Sequence, residues 1–140
     1  MTIDITKLVT AAQKFTHAKT ALILKIKANA NKITSDTIGD LGHEYQTARA
    51  HAEAFTAAGY LGVVPSSVQS WATAKGWTPQ AACVDITTAA NSWLTAETNI
   101  RTNRLARTEE AKACTTQAAL DAVAAQWSGF NAAIRTQLGI

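Results

Sequence analysis

Aromatic residues are scarce in this chain: they make up 6% of its 140 residues, although 47% are hydrophobic. A core poor in rings is thin, because apolar burial stabilises by only about 25 cal/mol per Å² removed from water. Cysteine is equally sparse. Cys83 and Cys114 stand in separate segments, with no CxxC and no His cluster beside them, so zinc-type ligand spacing is missing. No apolar run exceeds four residues, as in Ala21-Leu22-Ile23-Leu24, far short of the roughly 20 residues of a membrane-crossing helix. Residues 1–14 show no uninterrupted apolar segment behind a basic start, so no secretory signal is expected. Synthesis in a cytoplasm follows as an expectation, with both cysteines reduced and serving as small apolar fillers. Charge is mildly basic, net +3, but scattered. No run of five or six like charges marks a nucleic-acid-binding tail.

What the chain has in quantity is alanine, 29 residues of it. Alanine has the highest helix propensity, and its small side chain lets helix axes approach closely. Thin, tightly packed helices are favoured, and covering enough apolar surface then calls for partners. The hydrophobic positions carry the matching period. Leu8, Phe15, Leu22 and Asn29 are spaced at seven residues, and so are Ala12, Lys19, Ile26 and Ile33, a heptad pattern on one helix. A helix over residues 6–33, capped by Asp4 or Thr6 and ended by Ser35-Asp36, would be about 40 Å long. Its stripe has two expected uses: packing on its own chain, or pairing with other copies in a parallel coil of two or three strands. In the second, Leu8, Phe15, Leu22, Ile26, Asn29 and Ile33 form the self-association seam, with Asn29 setting register.

A second helix is expected over residues 37–57, with Ile38, Leu41, Tyr45, Ala48, Ala52 and Phe55 on one face and Gly59 as its stop. Residues 60–64 read as an apolar linker, and residues 65–75 as a short helix with Val68, Trp71 and Ala72 inward. Gly76 ends that helix, Thr78 caps the next, and Pro79 takes its first position. This third long helix continues through Thr108 to a break at Thr115-Thr116, since no Gly or Pro stands near Thr108. A last helix turns Leu120, Val123, Trp127, Phe130, Ile134 and Leu138 inward, with Gly129 a modest interruption. Only residues 61–64 could form a short strand. The expected fold is all-α: a long N-terminal helix plus an antiparallel helical bundle, with a short helix and corner around residues 65–79. Residues 1–140 read as a single helical domain, with 1–35 the candidate oligomerising helix and 36–140 the bundle.

Constellations that carry chemistry are few. His43, Glu44, His51 and Glu53 invite a metal or acid–base reading, but the histidines are eight residues apart, where a helical metal pair stands at four. They read as solvated polar residues. The remaining acids are scattered, and no P-loop, GxGxxG, DxD or GxSxG elbow is present. No enzyme activity, cofactor or metal is expected. Arg101, Arg104 and Arg107 lie along one helix edge; they suit a phosphate or anionic membrane, or, more simply, neighbouring acids such as Glu97 and Glu110. Residues 68–86 have the outline of a helix-turn-helix with Gly76 in the turn. A recognition helix meets DNA through Arg, Lys, Asn or Gln. This one opens Pro79-Gln80-Ala81-Ala82-Cys83-Val84-Asp85 and has no basic residue before Arg101. A helical corner is the expected reading, with neither nucleic acid nor membrane as partner. Among Trp71, Trp77, Trp93 and Trp127, Trp77 sits in a tight turn and is the expected partner contact.

Several segments resemble a known group. They are Val64-Pro65-Ser66-Ser67-Val68-Gln69-Ser70-Trp71-Ala72, Gly76-Trp77-Thr78-Pro79-Gln80-Ala81-Ala82, Trp93 with Ile100-Arg101 and Arg104-Leu105, and the opening Ile3-Asp4-Ile5-Thr6-Lys7-Leu8-Val9-Thr10. Together they resemble small Ala-rich helical proteins of tailed phages and prophages, encoded beside tail or tail-fibre genes. The resemblance implies a virion component, tail- or fibre-associated, that assembles with itself (as a trimer in a fibre) and with other phage tail or fibre proteins. A non-virion assembly factor for a tail or fibre protein is the second expectation, and a small helix-turn-helix regulator the third. The shared motifs are structural punctuation, so the resemblance assigns no functional residue.

Overall fold

A computed structural model of the chain describes Thr2 and residues 10–140, and all regular structure among these is helical. Helix α1 spans Ala11–Thr37 and is followed by a 3-10 turn at Gly39–Leu41. Then come α2 (Gly42–Ala57), α3 (Ser66–Lys75), α4 (Pro79–Ala113) and α5 (Gln117–Leu138). The chain divides into two compact units, one of Met1–Thr37 with Asn99–Ile140, the other of Ile38–Thr98. In the first unit, α1 packs with α5 from the opposite end of the sequence.

Local chemistry accounts for most helix ends. The expected caps Asp4 and Thr6, and the seam residue Leu8, lie outside the described residues. Before α1, Thr10 Oγ1 accepts the Gln13 N–H at 3.1 Å while Gln13 Oε1 accepts the Thr10 N–H at 2.8 Å, a reciprocal capping box. The helix does not stop at Ser35-Asp36. The Asp36 carboxylate is engaged by Lys32 and Arg135 rather than by nearby backbone, and Thr37 Oγ1 donates back to the Ile33 carbonyl at 2.7 Å. The break falls at Gly39, whose φ of +60° is costly for any residue with a Cβ. Pro65 stands one position ahead of α3 as its N-cap. Gly76, at φ +68°, closes that helix, with the Trp77 N–H donating to the Ala72 carbonyl at 2.9 Å. Thr78 Oγ1 then accepts the Ala81 N–H at 3.2 Å and Pro79 opens α4, which passes through Thr108 without interruption. Thr116 caps α5 through the Ala119 N–H at 3.1 Å.

In the first unit, α1 buries Leu22, Ile26, Ala30 and Ile33, and α5 buries Leu120, Val123, Trp127 and Ile134. Asp36 and Arg135, at the C-terminal ends of α1 and α5, pair at 2.7 Å. Toward the other end, the Lys19 ammonium donates to the carbonyls of Lys112 and Cys114 at 3.0 and 2.8 Å, satisfying acceptors left over at the end of α4. These two ties make α1 run parallel to α5. The second unit centres on Ala52 and Phe55 of α2, Val68 and Ala72 of α3, and Ala82 and Cys83 of α4, with Tyr60, Val64 and Ile86 packed around them. Small residues dominate it, and the one large ring, Phe55, meets Tyr60 edge-on at 5.6 Å.

Candidate interaction surfaces

Among the described residues, the N-terminal stripe is covered within the chain from Leu22 to Ile33. Ile26 and Ile33 are 0% exposed, and Leu22 is buried beside them. Phe15 and Asn29 are half-buried, with the Lys19 ammonium 5.1 Å from the Phe15 ring centre. A parallel coil through this seam would require Leu22, Ile26 and Ile33 to leave the core they share with α5. The large apolar side chain exposed on α1 is instead Leu24, 60% exposed and off the stripe.

In the second unit, Trp77 is 45% exposed, in the turn before α4. Trp71, expected inward, also reaches the surface, where its indole N–H donates to Asp85 Oδ2 at 2.9 Å. The Lys75 ammonium lies 4.9 Å from the Trp71 ring centre and 5.6 Å from that of Trp77, a cation held against two electron-rich faces. Leu61 and Val63, in the loop after α2, are 75% and 94% exposed. Leu41 and Tyr45 are exposed as well, so the inward face expected of the second helix narrows to Ala52 and Phe55. The sequence holds a signal for the loop residues: Val63 is apolar yet sits between Gly62 and Pro65, outside any helical period. Lys75 stands four residues after Trp71 and two before Trp77, a local spacing, whereas the bond from Trp71 to Asp85 depends on the next helix.

The other expected sites resolve as follows. His43 is exposed, while His51 is half-buried with Nδ1 2.9 Å from Ser67 Oγ, a bond that ties α2 to α3. Among the described residues, no three His, Cys, Asp or Glu side chains converge to hold a metal ion. Arg101 is exposed; Arg107 is half-buried, pairs with Glu110 at 3.0 Å and bonds Gln126. The latter three border an open groove of about 630 Å³ along α4 and α5, also lined by Cys114 and Val123. Cys83 and Cys114 are both free; Cys83 is buried and donates to the Ala52 carbonyl at 2.9 Å. The helix-turn-helix outline is present as α3, Gly76 and α4, but Ala81 and Val84 are exposed at the start of α4 and Asp85 is engaged by Trp71. Such a face offers phosphates and base edges little to bind. Trp127 is buried against Phe130 at 5.5 Å, and Trp93 is half-buried. Among the described residues, no helix is long and apolar enough to cross a membrane.

The charges are unevenly shared. Met1–Thr37 with Asn99–Ile140 holds eleven Lys and Arg against five Asp and Glu, a surplus of six positive charges. Ile38–Thr98 holds two against five, a surplus of three negative charges. A net charge of +3 therefore conceals two units of opposite sign. No family model, curated protein or solved structure matches this chain.

Proposed function

We propose that this protein is a structural component of a tailed-phage particle, associated with the tail or its fibres, that acts through protein–protein contacts rather than catalysis. The observation that carries this reading is the exposure of large apolar side chains on a small helical body. Leu61, Val63, Trp71 and Trp77 together place aliphatic and indole surface in water on a unit of 61 residues. Exposed aromatic and aliphatic anchors of this kind supply much of the binding energy at interfaces once a partner covers them. Other tail or fibre proteins and further copies of the chain are the partners this reading names. The resemblance of the motifs around Pro65, Trp71 and Pro79 to tail-gene neighbours supplies the biological setting. A folding or assembly factor that leaves before the particle is complete would use the same surface.

Mass spectrometry of density-purified particles is the deciding measurement. Recovery of the chain at a fixed ratio to known tail subunits supports the structural role. Its absence from particles, with tail assembly lost when its gene is deleted, favours the assembly factor. Absence from particles with no effect of deletion refutes both.

A further inference from the structure

We infer that the chain associates head to tail with copies of itself, the Leu24 face of α1 on one copy docking on the Leu41–Tyr45 face of the next. This inference rests on the assembly reading above and names the surface for it. On α1, Leu24 is exposed and has Lys25 beside it and Lys27 beyond, both exposed and neither in an ion pair among the described residues. The unit that carries this face has the surplus of six positive charges. On the other unit, Leu41 and Tyr45 are exposed, four residues apart at the start of α2, and Asp40 and Glu44 accompany them at the same spacing. The one Lys or Arg of α2, Arg49, is already paired with Glu53 at 2.8 Å, leaving that acidic face uncompensated by its own helix.

Each face is therefore an apolar centre with a charged border, and the borders have opposite sign. Such a pair attracts across copies and repels like onto like, which excludes a two-fold contact that sets either face against itself. A heterologous contact continues into a ring or a filament, as repeating assemblies require. A polyanion such as DNA would use only the basic face and would be repelled by the acidic unit, so a second copy fits the charge distribution better.

The test uses the full chain, treated with nuclease, and light scattering after gel filtration. A dilution series from about 1 mM to 1 μM is run at about 20 mM and at about 1 M salt, where the Debye length falls to about 3 Å. The expected result is mass well above 14.8 kDa at low salt and high concentration, returning to monomer at high salt. Lys25→Glu with Lys27→Glu, and separately Asp40→Lys with Glu44→Lys, should each be monomeric while keeping the wild-type circular dichroism. Mixing the two variants should restore association, since each retains the face that the other lacks. Should a reversed variant unfold, Lys25→Gln with Lys27→Gln and Asp40→Asn with Glu44→Gln serve instead, each expected to weaken association at least about tenfold. A monomeric wild type at low salt, variants that still associate, or a mixture that stays monomeric overturns the inference. Association that disappears on nuclease treatment overturns it in favour of a polyanion partner. A chain found in particles yet monomeric in solution would sink this contact and leave the particle role standing.

Discussion

Replacing Ile33 by alanine measures whether the α1 stripe is held by its own chain. Ile33 is fully buried in the first unit. The change removes three carbons, about 2.4 kcal/mol of transfer free energy at about 0.8 kcal/mol each. A residual void of about 50 Å³ would add about 1.2 kcal/mol at about 24 cal/mol per Å³. The expected loss is therefore about 3–4 kcal/mol, a large part of the stability of a small protein. With a urea dependence of about 1.5 kcal/mol per molar, the unfolding midpoint followed by circular dichroism should fall by about 2 M. Lys25→Ala, on the exposed side of the same helix, should move the same midpoint little, within about 0.5 kcal/mol. At about 1 M salt, where the charged contact between copies inferred above is screened, both midpoints should be independent of protein concentration, because the partner of the stripe is α5. A midpoint that rises with concentration, with Ile33→Ala abolishing that rise, would show that the stripe is buried between chains and would refute the argument.

Asp36 offers a pH test. Hydrogen bonds from Lys32, then Arg135, hold its carboxyl below the usual carboxylate range, so its contribution is present above that range and lost as pH falls through the lowered folded value. Asp36→Asn should reduce the urea midpoint at pH 7, and its gap to wild type should narrow as pH falls below the usual carboxylate range; a gap that does not narrow would refute the coupling. Gly129 lies inside α5 with nothing within 4 Å of an added Cβ, so Gly129→Ala should stabilise by about 0.5–1 kcal/mol, read as a higher thermal midpoint. Cys83→Ala removes a fully buried thiol and its bond to the Ala52 carbonyl and should cost about 1–2 kcal/mol. Cys114→Ala, at a partly exposed helix end, should cost under about 0.5 kcal/mol in the same denaturation assay.

Features encoded within a few residues are legible in the chain itself. Gly76, Thr78 and Pro79 act through their own backbone, so the corner between α3 and α4 stands where the sequence puts it. The capping box of Thr10 with Gln13 is equally local, but Asp4 and Thr6 offer more conspicuous caps upstream. The end of α1 at Gly39 is local too, but Asp36, expected to mark the break, is instead held by Arg135 from 99 residues away. The same distance effect governs the surfaces. Trp77 is exposed because its turn is tight, a local fact. Trp71 is exposed and bonded to Asp85 on the next helix, and Leu41 and Tyr45 are exposed because the second unit packs on Ala52 and Phe55 instead.

By itself, then, the sequence determined that this protein is helical, where several of its helices begin and end, and which side of α1 is apolar. Propensity, caps and period act over one or two turns, and an alanine-rich chain states them clearly. Tertiary structure alone decided what covers that side. Periodicity marks a face as apolar without specifying its partner, and α5 covers it in the same chain. The opposite charges of the two units were likewise hidden, since the basic unit draws on both ends of the chain and the acidic one on its middle. Charges distant in sequence act together only once folding has brought their segments within a Debye length of one another.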